Sequence, residues 1–542
     1  MRVGELAAWS GGPTHGLAGH RSAIAALAFT LGAAMPVAHA QPGDAPPPPD
    51  QPGAQRAEAA DAAPAGAPGL SLPEVLQATS RHHPTLRAAA AKVSAAKAKL
   101  LATQGAFDPK LLAEAGAAPL GKTTDLVGSV GVSQQTGLGG LQWKSGYRIG
   151  ADHPVYAGKA VTSSGGEVFA GARLPLLRGR ALDPERAKRA TALLDVAVQE
   201  QELRSKRLSM LEKAGATWVK WRVAAAKFEI EAALFAIAQR RAEQIEASVR
   251  RGASAEVVRL DNERLLTSRR ERLVEAERAA RSAALQLSLY ARDGAGVPRL
   301  IGAAATLDTA ATDIGLELPH GLRPTSERTQ VVTTGAQAEA LAATWAEEAL
   351  ARRPEPQALR QLAARADVAR RLAETERQPG LDLEVDAGYG LGDAQRYGDD
   401  NWSKSGVRAG GRLVFSWPWP MRKARGSAAA ARAARDAIEA DLQLWSETIR
   451  VEVQDALLAL RASRERLALA RQAAAAAQTL EVAERRKFEL GQSDLVVVNL
   501  RETATADART KAAEAWGELQ TATLRALAAT AELDGSEDAN SR

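Results

Sequence analysis

Hydrophobic and polar positions along this chain alternate in two rhythms, and each rhythm occurs twice. Over 381–389 the apolar residues Leu381, Leu383, Val385, Ala387 and Tyr389 alternate with Asp382, Glu384 and Asp386. Further on, Val407, Ala409, Leu413, Phe415 and Trp417 alternate with Arg408, Arg412 and Ser416. Period two, apolar on one face and charged on the other, predicts strands standing between lipid and water. The first half offers matching runs over 110–117 and 167–176, with a further run, Trp143, Ser145, Tyr147, Ile149 and Ala151, between them. That middle run reads as an extended hairpin or an external loop.

The second rhythm is helical. Residues 183–250 hold no proline after Pro184, and such a run spans about 100 Å as a helix. Its counterpart over 428–490 places Ile449, Val453, Ala456, Leu460 and Leu467 at heptad spacing; the positions 239 residues earlier are Met210, Ala214, Thr217, Trp221 and Phe228. Each long helix meets a glycine, in Arg251-Gly252-Ala253-Ser254 or Leu490-Gly491-Gln492-Ser493, and a return helix follows, over 255–291 or 494–531. These are antiparallel coiled-coil hairpins.

The two rhythms are copies of one plan. Pro84 and Pro109 recur as Pro354 and Pro379, both 270 residues later, so the intervening helix needs no gap. Past the strands the offset becomes 239, with Arg173-Leu174 matching Arg412-Leu413 and Gly252 matching Gly491; 31 residues were therefore gained or lost between strands. One inserted residue turns every later helical side chain by about 100°, so equal helix length in both copies is what a long wall requires.

Composition narrows the class. Among 542 residues only 4% are aromatic, and 70 basic residues against 64 acidic ones give +6, too little and too dispersed to argue for nucleic acid. At the amino terminus Arg21, the apolar run 23–34 and Val37-Ala38-His39-Ala40 predict a signal peptide over 1–40. Cysteine is absent, which excludes disulfides, thiolate metal sites and a lipidated amino-terminal cysteine. Residues 41–69, rich in Pro and Ala, read as a disordered leader, and 532–542 as a polar tail. No other segment is apolar enough for a spanning helix, so entry into a bilayer requires a closed barrel. Two strands per copy give about four per chain, whereas a single-chain barrel needs at least eight. The barrel is therefore expected to be shared among subunits.

In this order the elements resemble the TolC-type outer-membrane efflux proteins. The resemblance covers roughly 70–531 and rests on the duplicated helix-strand-strand-helix-helix plan, the helix starts at Pro84 and Pro354, the LPLLRGR run over 174–180, and the tips GASAEVVRLDNERLL and GQSDLVVVNLRE. It implies a mainly α protein with membrane β: a first repeat over 70–291, an equatorial segment over 292–350 and a second repeat over 351–531. Three copies would form a periplasmic α-helical barrel continuous with a shared 12-stranded outer-membrane β-barrel. The implied function is an exit duct for tripartite efflux or type I secretion, with a periplasmic adaptor and an inner-membrane pump as partners, no cofactor and no covalent chemistry. Adaptor contact falls on Arg251, Gly252, Ser254, Leu490, Gly491 and Ser493. The family's inward acidic positions fall on Val258, Asp261, Val497 and Leu500, of which only Asp261 is acidic; Glu256, Asp494 and Glu502 lie close enough to substitute. Trp417 and Trp419, between Pro418 and Pro420, read as an interfacial aromatic girdle.

Other readings are weaker. His82 and His83 are adjacent, so on a helix they point apart and do not make a metal pair. Arg178 and Arg180 read as a charged strand end or a contact with lipid headgroups. No phosphate loop, zinc spacing or Ser-His-Asp set points to an enzyme. The rival from another class is a soluble periplasmic coiled-coil adaptor or scaffold. It predicts one hairpin between lipoyl-like halves rather than two hairpins with amphipathic strands.

Overall fold

A computed structural model describes residues 70–120, 123–151, 162–163, 165–253, 255–301, 335–392 and 406–533. The expected signal and leader, residues 302–334 of the equatorial segment, Ser254 and most of the tail lie outside the described residues. The elements follow in the order α1 (Leu72–His82), α2 (Pro84–Gln104), β1 (Lys110–Leu120), β2 (Thr123–Gln135), β3 (Gln142–Ala151), β4 (Glu167–Pro175), α3 (Pro184–Arg250) and α4 (Glu256–Ser288). The second half adds α5 (Gly335–Arg352), α6 (Pro354–Glu376), β5 (Gly380–Gly390), β6 (Gly406–Ser416), α7 (Arg422–Glu489) and α8 (Leu495–Ala529).

The duplication holds residue by residue. Strands β1 and β5 start and end 270 residues apart, while the starts of β4 and β6, the ends of α3 and α7, and the starts of α4 and α8 lie 239 apart. The 31 surplus residues are therefore 121–151, which is the pair β2 and β3. All six strands form one antiparallel meander, β1-β2-β3-β4-β5-β6. This corrects the expectation of about four strands per chain, and three copies would no longer total twelve. Alternation over ten residues is the same in a sheet strand and in an isolated hairpin; ladder pairing on both sides makes β2 and β3 members of the sheet.

Register sorts the side chains into two faces. One continuous row runs Ala113-Val130-Tyr147-Val168-Tyr389-Val407 across all six strands. Parallel rows hold Leu111-Val132, Leu174-Leu383-Leu413 and Leu381-Phe415. The opposite face is charged. Glu167 on β4 takes Arg148 of β3 at 2.9 Å and Arg408 of β6 at 2.6 Å. Arg173 meets Asp382 at 2.6 Å, and Arg412 meets Glu384 at 2.5 Å. Glu167 reaches across β5 because Gly388 has no side chain; a Cβ there would stand 1.9 Å from the carboxylate.

Four helices lie side by side next to the sheet, in the order α2-α3-α6-α7, and further along the long helices the order is α4-α3-α8-α7. Helix α1 packs on α3, and α5 on α7. Asp183 caps α3, accepting from the amides of Glu185 and Arg186 at 3.0 and 2.9 Å. Arg186 then binds the Gly179 and Arg180 carbonyls, and Arg178 donates to Ser416 at 3.0 Å, so the LPLLRGR run joins both strand ends to the helices. The expected seam Ile449, Val453, Ala456, Leu460 and Leu467 is buried throughout. Its twin in α3 keeps Ala214 and Trp221 buried and adds Leu208, Leu211 and Trp218. Helix α3 is flanked on both sides and so buries a broader stripe than α7, which ends the row. Among the described residues no helix is long and apolar enough to cross a membrane.

Candidate functional site

The two hairpin tips are built alike by their glycines. Gly252 and Gly491 have φ of 77° and 76°, a left-handed turn that glycine adopts without strain. At each, a residue beyond the helix bonds back to it: Ala253 to the Ser248 carbonyl at 2.9 Å, and Gln492 to that of Lys487 at 2.8 Å. Arg251, Gly252, Leu490 and Gly491 are exposed, and Ser493 is half-buried with its hydroxyl donated to Glu484. Beside them Val257, Leu260, Val496 and Leu500 stand in solvent, giving both tips an apolar surface that sequence reading passed over.

The four candidate aperture carboxylates separate. Asp261 is exposed; Glu256 is exposed and pairs with Arg259 at 2.6 Å; Asp494 is exposed and caps α8 through the Val496 amide at 3.3 Å. Glu502 lies instead inside the helix packing, its side chain 1% exposed. One of its oxygens meets Arg241 of α3 at 2.5 Å and Arg485 of α7 at 3.4 Å, and the other meets Arg269 of α4 at 3.3 Å. A carboxylate surrounded by three guanidiniums from three helices is a clamp, which corrects its expected place beside the aperture. Burial pushes the Glu502 carboxyl up, but hydrogen bonds from Arg241 and the charges of Arg241 and Arg269 prevail and hold it below the usual carboxylate range. Burial lowers the Arg269 guanidinium against the pull of Glu502. The signal in sequence was present, since Arg241, Arg269 and Arg485 fall near the tips on three different helices, but only the helix packing brings them together.

At the helix ends nearest the sheet, Trp417 and Trp419 pack edge to face with centroids 5.6 Å apart, and both are exposed. They follow directly on the end of β6 at Ser416. His83 accepts from the Thr85 amide through Nδ1 at 3.3 Å, and its ring stacks on Tyr290 at 5.6 Å. Burial, then the Arg292 charge, lowers its pKa from 6.5. The described residues contain no cluster of three metal-ligating side chains.

Long helical hairpins continued into a sheet with one apolar and one charged face define the architectural class of this chain. The chain has the fold of the TolC-type outer-membrane channels. The Vibrio cholerae outer-membrane protein VceC is 14% identical, with 85% of this chain and 95% of that one aligned and a TM-score of 0.55. The open-state Neisseria gonorrhoeae outer-membrane channel MtrE is 13% identical, covering 85% and 88% with a TM-score of 0.57. CusC, described in connection with transmembrane channel formation, is 13% identical, covering 85% and 92% with a TM-score of 0.57. No protein-family model and no curated protein matches the sequence.

Proposed function

We propose that this chain is the subunit of a trimeric exit duct, with its sheet in the outer membrane and its helices in the periplasm. The hairpin tips dock to a periplasmic adaptor coupled to an inner-membrane pump, for efflux or type I secretion. The observation that carries this reading is the two-faced sheet with open edges at β1 and β6. Lipid tolerates no open sheet edge, so β6 of one copy must pair with β1 of the next. The helices support the same head-to-tail contact. Within the chain α3 packs on α8 and α6 of the second half, whereas α7, its repeat twin, ends the row and leaves Leu444, Val451, Leu458 and Leu469 exposed. Repeat symmetry places α4 and α2 of the next copy there, and α4 leaves Val257, Leu260, Val274 and Leu285 exposed. A heterologous contact that closes forms a ring.

At the tips Arg251, Gly252, Ser254, Leu490, Gly491 and Ser493 are the adaptor contacts, while Asp261, Glu256 and Asp494 line the aperture. Trp417 and Trp419 mark the periplasmic membrane interface. The test is fractionation of the mature protein followed by native mass determination in detergent. An outer-membrane trimer that crosslinks to an adaptor from cysteines at Arg251 and Leu490 is expected. A soluble periplasmic monomer overturns the duct and leaves the coiled-coil scaffold.

A further inference from the structure

We propose that the β2-β3 hairpin is part of the barrel wall, so that three copies close an 18-stranded barrel about as wide as the helical tunnel beneath it. This rests on the duct reading above. Three observations converge on it. The surplus 121–151 occupies a gap between two otherwise matched strands, and the stretches of sequence beyond it, 152–166 and 391–405, are equal in length. A strand pair inserted there keeps every later strand running in its original direction. Next, β2 and β3 are hydrogen-bonded on both sides, β2 to β1 over its length and β3 to β4 from Gln142↔Arg173 to Arg148↔Glu167. Without them β1 and β4 would have to pair directly.

The third observation is that both faces continue through the inserted strands. Val130, Tyr147 and Ile149 extend the apolar face, with Val130 and Ile149 exposed. On the other face Arg148 of β3 completes the Arg148-Glu167-Arg408 ladder and lies over the Phe169 ring at 5.3 Å. A plug folded into the lumen would not carry an apolar face in register with the lipid-facing row. An external loop would not share the lumen's ion pairs.

Width supplies the consequence. Four packed helices at about 9 Å cover about 36 Å of perimeter per copy. Six strands spaced about 4.8 Å and tilted about 40° cover about 38 Å, whereas four would cover about 25 Å. The wall therefore keeps its perimeter on passing from helix to strand. Three copies give a barrel about 36 Å across, against about 24 Å for twelve strands at the same tilt. The outer-membrane segment then imposes no size limit of its own, and selection of cargo by size is left to the tips.

The absence of cysteine makes a labelling test direct. Single cysteines are placed at Val130 and Ile149 on the apolar face of the inserted pair, and at Ser133 and Lys144 on its charged face. Val407 and Leu413 on β6 serve as controls. The purified full-length oligomer in liposomes is treated with a membrane-impermeant maleimide. Ser133→Cys and Lys144→Cys are expected to label, and Val130→Cys and Ile149→Cys to label only after denaturation. Labelling of Val130→Cys and Ile149→Cys in intact liposomes, with Val407→Cys and Leu413→Cys protected, overturns the widened barrel and leaves the duct standing. Labelling of the β6 controls as well brings down the duct reading itself. Native mass fixes the count: three copies with a protected hairpin give 18 strands, and two copies overturn that number.

Discussion

The two halves of the chain share one backbone plan, yet corresponding carboxylates meet opposite fates. Glu263 and Glu502 lie 239 residues apart at the same point of their return helices. Glu263 is exposed and touches Arg259 at 3.2 Å, whereas Glu502 is enclosed by three arginines. The arginines themselves break the repeat, since the counterparts of Arg241, Arg269 and Arg485 are Leu480, Ala508 and Glu246. Duplication thus supplied the scaffold, and later divergence placed the ion cluster where the helices of both halves meet. Glu502→Gln should destabilise the fold by about 3–5 kcal/mol, because it strands buried positive charge. Glu263→Gln should leave stability unchanged. Amide hydrogen exchange along α8 checks the difference, and equal protection in the two variants would show that the cluster holds nothing together. Because the Glu502 carboxyl is held low, its contribution is complete above the unfolded carboxylate pKa of about 4.3 and fades as pH falls through the lower folded value.

A second contrast concerns how closely helices approach. At Gly215 a Cβ would lie 2.7 Å from the Leu524 side chain, and at Gly517 it would lie 2.6 Å from that of Val223, so α3 and α8 meet over two glycines. The corresponding residues in the other halves are Gln454 and Arg278, both exposed. The junction within the chain is close-packed over two glycines, and its repeat counterpart falls at the flanks of α7 and α4 that are proposed to meet between copies. Gly517→Ala should therefore cost about 1–3 kcal/mol by overpacking. Arg278→Ala should cost less than Gly517→Ala, because it removes side-chain volume and forces no close approach. Denaturant midpoints of the two variants decide it, and an unshifted Gly517→Ala would mean that Val223 gives way freely.

Most of the architecture was legible because it is written in periodicity and length. The offsets of 270 and 239, the tip glycines and the seam from Ile449 to Leu467 all survive into the structure, since helix pitch and strand pleat convert spacing directly into faces. What escaped were facts of pairing. The run from Trp143 to Ala151 carries the wall pattern, but a period-two pattern does not say whether a strand has neighbours, and β2, with Gly128 and Gly131 among its residues, is a weak strand signal alone. The place of Glu502 escaped for a similar reason. Seven residues into α8, it looks like any helical carboxylate until three other helices supply its arginines.

The mildest contrast lies at the two helix starts before Pro84 and Pro354. His83 and Arg353 occupy equivalent positions. Arg353 is held among Glu355, Glu452 and the Trp445 ring, and Glu355 also accepts from Ser205 at 2.8 Å. Burial raises the Glu355 carboxyl, but the Arg353 charge and hydrogen bond outweigh it, so this joint stays charged at neutral pH. His83 makes its joint as a neutral ring, since only an unprotonated Nδ1 can accept from the Thr85 amide, and Arg292 opposes a second positive charge. With its pKa lowered from 6.5, His83 contributes fully above that value, and the contribution fades as pH falls through the lower folded value. Between about pH 8 and pH 5 the Thr85 amide should lose hydrogen-exchange protection while the amides at the start of α6 keep theirs. His83→Gln should abolish the pH dependence at Thr85; if it persists in that variant, another group controls the joint.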